Sequence, residues 1–347
     1  MQRHLILTVD YELFGNGSGD IVNCVIKPTE IMLNIADKYN AKLTLFVDIA
    51  EFLAMKKSKE HQDDVGLVYT QIQNAVRRGH DVQLHLHPQW IGASYSDGSW
   101  NLALRKWRIA DVDSNDMAAC FGLYKQALEE IVQVVNPAYR CDVFRAGGWC
   151  IQPSAKVLTA MKAAGLRMDS TVAPGARLKN TKHWFDFSTT PKKPVWLIDN
   201  DVCAESKEGA LLEVPIATIK AGYVKQVYRL LKNKISVGTS LACGCQGSYE
   251  SGGSVVEKIS AFYSKLINLD NIMLDFSTVP CDLMLDITAS VSRNSAGYQV
   301  IPVVAISHCK NFNHISALEF ERYLEVASMD KSITFSTYNE FYDLYEE

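Results

Sequence analysis

Apolar strand-like segments alternate with amphipathic helical segments along most of this 347-residue chain. Leu5–Val9 has the composition of an apolar strand, and Pro28–Tyr39 follows with the 3.6-residue period of a helix. A repeated β-α-β order with short connections predicts a parallel sheet, because each helix returns the chain to the same edge. The chain is therefore predicted to form either a barrel or a doubly wound sheet. In both, ligands bind at the carboxyl ends of the strands.

The same patterns predict most of the remaining elements. Strands are expected at Lys42–Ile49, Asp81–His85, Asp142–Arg145, Leu166–Asp169, Ala210–Ile216, Val300–Ser307 and Ile333–Ser336. Helices are expected at Val65–Arg78, Ser114–Val135 and Ser154–Ala164. Ser316 and Glu319 have the spacing of a capping box, which predicts one more helix because each side chain can satisfy the other's free backbone donor.

Length and composition indicate one large unit. Hydrophobic residues make up 48% of the chain, enough for a substantial core, and we predict a single domain over residues 1–347. Two regions interrupt the alternation. Gly92–Asp113, which contains two tryptophans, is predicted to be a long loop beside the site. Residues 217–255 are predicted to be an insertion, in which Lys220–Lys234 forms a solvated basic helix face. The alternative for this face is binding of an anionic sugar–phosphate carrier.

Charge and cysteine content narrow the expected partners and compartment. The net charge of −4 shows no basic excess, which argues against nucleic acid as a main partner. No run of about 18 apolar residues occurs, so no membrane span is expected. The N-terminal residues have the character of a first strand and not of a signal peptide. The nine scattered cysteines are typical of reduced thiols in a cytoplasmic protein, which is the expected location.

Five short stretches with reactive side chains lie where predicted strands end. They are Asp10–Glu12, His85–Pro88, Arg145–Trp149, Asp169–Thr171 and Ser307–His308. Because the carboxyl ends of parallel strands meet at one edge or one barrel mouth, these stretches are expected to form a single site. Two carboxylates, two close histidines, an arginine and a late histidine are the components of a metal-dependent hydrolase.

Asp10 and Glu12 are two residues apart at a strand end, so their side chains point the same way. Two carboxylates this close repel each other unless a cation separates their roles. A metal held by one of them, while the other accepts a proton, removes the repulsion. Either carboxylate can take either role in such a pair.

His85 and His87 are also two residues apart and can face the same side. Imidazole is a common ligand of zinc, cobalt and nickel, and a carboxylate is a usual third ligand. The two histidines are therefore predicted to hold a divalent metal together with one of the acids, with zinc as the first choice and cobalt or nickel as alternatives.

Arg145 and the residues after it are predicted to serve the same site. An arginine beside a buried carboxylate lowers the carboxylate's pKa and keeps it ionised. Gly147 and Gly148 allow the backbone to approach a ligand. Trp90 and Trp149 offer apolar surfaces of the kind that contact a sugar ring.

Asp169 and His308 complete the predicted site. Asp169 is expected to pair with His308 or Arg145, and His308 follows a buried strand as the remaining proton donor. Weaker sequence contexts predict structural or surface positions for His4, His80, His183 and His314.

The five motifs, in this order, resemble those of the polysaccharide deacetylase superfamily, also described as NodB-homology or carbohydrate esterase family 4-like proteins. The resemblance covers most of the chain, from LTVDYE to the ISHCKNF and ITFSTYNEF segments. The family's first motif has an aspartate base and a metal-binding acid. Its paired histidines are usually four residues apart, whereas His87 here follows His85 by two.

The resemblance implies roles for the individual residues. It implies a base at Asp10, metal ligands at Glu12, His85 and His87, an acid at His308, and supporting positions at Arg145 and Asp169. It also implies a distorted (β/α)7 barrel, a divalent metal and hydrolysis of the acetyl-amide of a sugar. An acetylated carbohydrate is then the expected partner.

Two other functions are considered. Cyclic-amide hydrolases resembling allantoinase belong to the same superfamily, although the tryptophan-bearing loop favours a sugar. A non-catalytic carbohydrate-binding protein on the same scaffold is expected to lose reactive side chains, yet all five motifs keep them.

Overall fold

The computed structural model describes residues 2–180, 183–220, 271–295 and 297–346, together with Gly222, Lys225, Tyr228 and Cys245. Most of the predicted insertion, and most of the basic segment Lys220–Lys234, lie outside the described residues. Lys225 is described and forms an ion pair with Asp286, in which Nζ and Oδ2 are 2.6 Å apart.

Strands and helices alternate as the sequence pattern predicts. The strands are β1 (Gln2–Tyr11), β2 (Leu43–Asp48), β3 (Asp81–Leu86), β4 (Ser94–Ser96), β5 (Ser99–Asn101), β6 (Val143–Ala146), β7 (Met168–Asp169), β8 (Arg177–Lys179), β9 (Trp184–Asp186), β10 (Trp196–Ile198), β11 (Leu211–Glu213), β12 (Thr218–Lys220), β13 (Asn271–Met273), β14 (Val300–Ala305) and β15 (Ile333–Phe335). The helices are α1 (Lys27–Lys38), α2 (Ile49–Lys56), α3 (Gln62–Arg77), α4 (Ser114–Gln133), α5 (Ala155–Ala163), α6 (Cys281–Asn294), α7 (His314–Met329) and α8 (Tyr338–Glu346).

One mostly parallel sheet organises these elements. Its strand order is β10-β11-β7-β6-β3-β2-β1-β14, and β15 also pairs with β1. Neighbouring strands are parallel except for β10 and β11. The central strand β1 pairs with β2 through its carboxyl-terminal half and with β14 and β15 through its amino-terminal half.

The sheet curls until its two ends meet. Beyond the end of β11, Ile216 forms a parallel bridge with Val304 of β14. The amide of Ala217 donates to the carbonyl of Val304 over 2.9 Å. Within the described residues, β1, β2, β3, β6, β7, β11 and β14 thus form a distorted parallel ring. Of the two predicted parallel architectures, the distorted barrel is confirmed.

The core explains why the strands are almost wholly apolar. The inner residues of β1 and all of β2 are buried, because helices cover the outside of the ring while side chains fill its interior. The covering helices are amphipathic: α1 has Pro28 in its first turn and buries Met32, Leu33 and Ala36.

The predicted capping box is wrong. Helix α7 begins at His314, and the side chain of Asn313 caps it by accepting a hydrogen bond from the amide of Ser316 over 3.0 Å. Glu319 instead accepts from the amide of Cys281 over 2.8 Å, which ties α7 to the start of α6. The side chain of Asn313 therefore supplies the cap, three residues before the position that the sequence pattern assigned.

The expectation of reduced thiols throughout is also wrong. Cys24 lies in a π-helical turn before α1 and forms a disulfide with Cys245, with the two Cα atoms 4.8 Å apart. That separation is within the range that a disulfide spans. Among the other described cysteines, the buried ones are free thiols, namely Cys141, Cys150, Cys203, Cys281 and Cys309. Among the described helices, none has both the length and the apolar character needed to cross a membrane.

Candidate active site

A pocket of about 300 Å³ opens at the carboxyl ends of the barrel strands. Four of the five predicted stretches contribute to its lining, through Asp10, Glu12, His87, Trp149 and His308. These residues come from the ends of β1, β3 and β6 and from the segment after β14. The expected convergence of strand ends on one site is therefore present.

Asp10 lies between an arginine and a histidine. Its Oδ1 accepts from Nη1 of Arg145 over 2.8 Å, and its Oδ2 lies 3.4 Å from Nε2 of His308. Burial by itself would raise the pKa of Asp10. The charges of Arg145, His85 and His308 outweigh that effect and hold the pKa of Asp10 below its usual value. Asp10 is therefore a carboxylate at neutral pH.

Arg145 lies beneath Asp10, outside the pocket lining. Its guanidinium is fully buried and bonds to Thr8 Oγ1 at 2.8 Å and to the carbonyl of Ser170 at 2.9 Å. It also stacks over the ring of Phe46, with Cζ 4.0 Å from the ring centre. These contacts hold the guanidinium in place. Arg145 therefore acts on a bound ligand only indirectly, through the position and charge of Asp10.

Glu12 and the two histidines form a compact donor cluster. Oε2 of Glu12 lies 3.3 Å from Nε2 of His85 and 2.8 Å from Nδ1 of His87. The candidate ligand atoms of these three buried residues all lie within 4.8 Å of one another. One carboxylate and two imidazoles are a common donor set for a divalent transition metal.

The hydrogen bonds of His85 show that this cluster fits a cation. Its Nδ1 lies 2.9 Å from the carbonyl oxygen of Arg145. Because a carbonyl only accepts, Nδ1 carries the hydrogen and a neutral ring presents a lone pair at Nε2. That Nε2 is buried without a hydrogen-bond partner among the described residues, and it faces Oε2 of Glu12 over 3.3 Å. Two lone-pair atoms facing each other in this way are stabilised by a metal ion between them.

His87 is held by a carboxylate that the sequence analysis did not select. Asp48, at the end of β2, is fully buried, and its Oδ2 lies 2.9 Å from Nδ1 of His87. Burial alone would lower the pKa of His87, but Glu12 and Asp48 raise it to about 10. The surroundings of this ring therefore favour positive charge, for which a proton and a metal ion compete.

The balance of charge favours a single ion. The carboxylates of Asp10, Glu12 and Asp48 are opposed by Arg145 and Lys310, which leaves one net negative charge when the histidines are neutral. One divalent ion makes that sum +1, whereas a second would make it +3. Asp10, Glu12 and His308 also form a group of suitable spacing, but Asp10 is already paired with Arg145 and this group offers one imidazole where the other offers two.

The glycines after Arg145 serve the packing of two histidines. A Cβ at Gly147 would lie 2.4 Å from the ring of His87, and one at Gly148 would lie 2.8 Å from the ring of His183. Gly148 lines the pocket and has a φ of +57°, which glycine adopts without strain. Trp149 also lines the pocket, and its ring centre is 5.9 Å from that of His308.

Trp90 and Asp169 lie away from this pocket. Trp90 is 1% exposed and packs edge-on against Trp100, because the 3₁₀ turn Pro88–Trp90 directs it to a separate cavity beside α2. Asp169 is fully buried and accepts hydrogen bonds from the amide and hydroxyl of Thr171. Its other close partner is Glu213, and burial raises the pKa of both acids, that of Glu213 well above its usual value.

Several pocket residues were missed by the sequence analysis. Lys310 lies against Glu12, while Trp107 and His183 line the pocket with their rings tilted and their ring centres 4.9 Å apart. Trp107 belongs to the predicted loop Gly92–Asp113, which does lie beside the site and also contains the β4–β5 hairpin. His183 was predicted to be structural or on the surface. The local sequence pattern did not indicate it, because the hairpin of β8 and β9 that carries His183 is recognised only in the structure.

Comparison with protein-family models and with curated proteins gives no match. Solved structures do match. The 4-α-glucanotransferase of Thermococcus litoralis has a TM-score of 0.54 at 9% identity, over 99% of this chain and 40% of that chain. An allantoinase has a TM-score of 0.49 at 11% identity, over 99% of this chain and 90% of that chain. A protein of Mycobacterium smegmatis described as a polysaccharide deacetylase has a TM-score of 0.48 at 12% identity, with the same coverage.

At 9% identity, the similarity to the glucanotransferase shows a shared fold and no more, and that fold agrees with the distorted barrel described above. Polysaccharide deacetylases, the family that the five motifs resemble, are among the matched structures.

Proposed function

We propose that this protein is a metal-dependent hydrolase that removes the acetyl group from an N-acetylated sugar. One observation carries the proposal. A cluster of two histidines and a carboxylate lies in the same pocket as a buried aspartate paired with a histidine. The cluster supplies a place for a divalent ion, and the pair supplies the two proton-transfer groups that amide hydrolysis needs.

Each residue then has a defined task. A divalent ion held by Glu12, His85 and His87 would polarise the acetyl carbonyl and acidify a water molecule. Asp10, kept ionised by Arg145, accepts the proton of the attacking water. His308, on the other side of Asp10, donates a proton to the departing amine. Asp48 and Glu12 both contact Nδ1 of His87, and Asp48 holds the ring in place from the end of β2.

The shape of the pocket supports a small sugar as the substrate. Its volume of about 300 Å³ is at the lower end of ligand pockets, so it suits one sugar unit better than an extended polymer segment. Trp107, Trp149 and Leu178 line it with apolar surface, on which the carbon face of a sugar ring can lie.

The test combines metal analysis with an acetate-release assay. The purified protein, loaded with Zn²⁺ or Co²⁺, is expected to bind one equivalent of metal and to release acetate from N-acetylglucosamine or its short oligomers. Asp10→Asn should abolish turnover. Asp142→Asn is the matched control, because Asp142 is also a buried acid paired with an arginine, Arg167, at 2.9 Å, but lies outside the pocket lining.

Two results would contradict this proposal. Metal binding without acetate release, together with hydrolysis of allantoin, would show a cyclic-amide hydrolase. Equal loss of acetate release in Asp10→Asn and Asp142→Asn would show that Asp10 has no role beyond folding.

A further inference from the structure

Lys310 lies in the pocket wall beside Glu12, and the chemistry proposed above does not use it. Its Nζ lies 2.6 Å from Oε1 of Glu12 and donates to the carbonyl of Leu13 over 2.8 Å. The side chains of Lys310 and Glu12 are each 3% exposed, so the pair is shielded from water. A shielded ion pair is held far more firmly than an exposed one, because removing either partner leaves a buried charge.

The two oxygens of Glu12 are thus divided between different partners. Lys310 occupies Oε1, while Oε2 faces His85 and His87. The ammonium group also donates to the Leu13 carbonyl, next to Glu12 in the chain, and this second bond helps to hold it beside Oε1. Only one carboxylate oxygen is therefore presented to the metal cluster.

We propose that Lys310 is a positioning residue that keeps Oε1 of Glu12 away from the metal, so that Glu12 binds the ion through one oxygen. This inference rests on the proposed metal-dependent function. A second effect follows from charge. A fixed ammonium group beside a ligand carboxylate repels a divalent ion and neutralises part of the charge that attracts it, so Lys310 also weakens metal binding.

Cobalt is a suitable probe, because visible absorption by Co²⁺ is stronger in a four-coordinate site than in a five- or six-coordinate one. Wild type, Lys310→Met and Lys310→Arg are titrated with Co²⁺ in calorimetry and in absorption. Lys310→Met should bind Co²⁺ at least tenfold more tightly and show weaker visible bands, since Glu12 is then free to bind through both oxygens. Lys310→Arg keeps the charge and the donors and should stay within threefold of wild type.

Lys125→Met is the matched control. Lys125 is also a buried lysine held by a carboxylate, that of Glu129 at 2.7 Å, and by a backbone carbonyl, that of Cys141 at 2.8 Å. It lies on α4, away from the pocket, so its loss should change stability and leave Co²⁺ affinity and spectrum as in wild type.

The outcomes separate this inference from the proposed function. If wild type binds no Co²⁺, the metal-dependent function itself fails. If wild type binds Co²⁺ and Lys310→Met matches it in affinity and spectrum, the role of Lys310 is overturned. Should Lys310→Met fail to fold, Lys310→Gln removes the charge but keeps a donor. It should still bind Co²⁺ at least tenfold more tightly, and an unchanged affinity would overturn the inference.

Discussion

Gly147 lies against the imidazole of His87, so closely that a Cβ at position 147 would be 2.4 Å from the ring. The glycine after Arg145 and Ala146 therefore sets the position of a metal-ligand candidate that belongs to another strand. The ring cannot shift freely, because Asp48 holds its Nδ1 at 2.9 Å.

Gly147→Ala should consequently displace His87 and weaken metal binding at least tenfold, while the protein stays folded. Gly122→Ala is the control, since nothing lies within 4 Å of a Cβ there, and alanine in a helix should stabilise the protein by about 0.5–1 kcal/mol. Calorimetry measures the metal affinity of both variants, and circular dichroism checks that both are folded. Unchanged affinity in Gly147→Ala would show that the ring moves without effect.

Asp48→Asn tests the partner of His87. Removing the charge beside Nδ1 leaves a neutral partner that holds the ring less firmly, so the imidazole should become a weaker ligand. Loss of such outer partners typically lowers metal affinity about 10–100-fold, and we expect a decrease in that range. Competition with a coloured chelator measures it. An affinity within twofold of wild type would indicate that Asp48 serves only folding.

His87→Ala and His308→Ala should separate metal binding from proton transfer. His87 belongs to the donor cluster, whereas His308 contacts Asp10 over 3.4 Å. We expect His87→Ala to lose metal and turnover together. His308→Ala should retain about one equivalent of metal and lose turnover by about 100-fold or more. Equal metal loss in both variants would assign His308 to the metal.

The two predicted substrate tryptophans should behave differently. Trp149 lines the pocket, so Trp149→Ala should raise KM for an acetylated sugar about five- to tenfold, because the ring's apolar face is lost. Trp90 is 1% exposed, so Trp90→Ala should lower the free energy of unfolding by about 3–5 kcal/mol and leave KM unchanged. Steady-state kinetics and urea unfolding distinguish them, and a KM effect in Trp90→Ala alone would reverse the assignment.

His80 should make stability depend on pH. Burial lowers its pKa from 6.5 to about 4, and its Nδ1 accepts a hydrogen bond from the amide of Leu43 over 3.1 Å. Between these pH values the unfolded chain binds a proton that the folded protein excludes. The stability that neutral His80 contributes is therefore complete above pH 6.5 and is lost as the pH falls through 4.

His80→Asn keeps an acceptor for Leu43 but does not titrate. Wild type should lose about 2 kcal/mol more unfolding free energy than His80→Asn between roughly pH 7 and pH 4.5. Urea unfolding of both proteins at each pH measures the difference, and other titrating groups cancel in the comparison. Parallel pH profiles would show that His80 keeps its ordinary pKa in the fold.

The sequence predicted those parts of the site that depend on strand ends. Asp10, Glu12, His85 and His87 alternate at two-residue spacing after apolar strands, and strand geometry alone brings such pairs to one mouth. The barrel was one of two architectures that the β-α-β order allowed. Periodicity could not choose between them, since the choice depends on the bridge between Ile216 and Val304.

Contacts between distant segments were beyond the sequence pattern. Asp48 ends a strand as a single acid, and its partner His87 is 39 residues away. Lys310 pairs with a residue 298 positions earlier, which no local spacing indicates. Asp169 was expected to pair with His308 or Arg145. Its neighbour is Glu213 instead, because β7 and β11 are adjacent although about forty residues of chain separate them.

The central place of β1 has a consequence for synthesis on the ribosome. β1 emerges from the ribosome well before β14 and β15, with which its amino-terminal half pairs. Until those residues leave the exit tunnel, an apolar edge of β1 has no partner and can pair with other nascent chains. Chains that stop before Val300 should therefore aggregate instead of yielding a smaller folded product, and expression should improve when chaperones that bind unpaired strands are abundant.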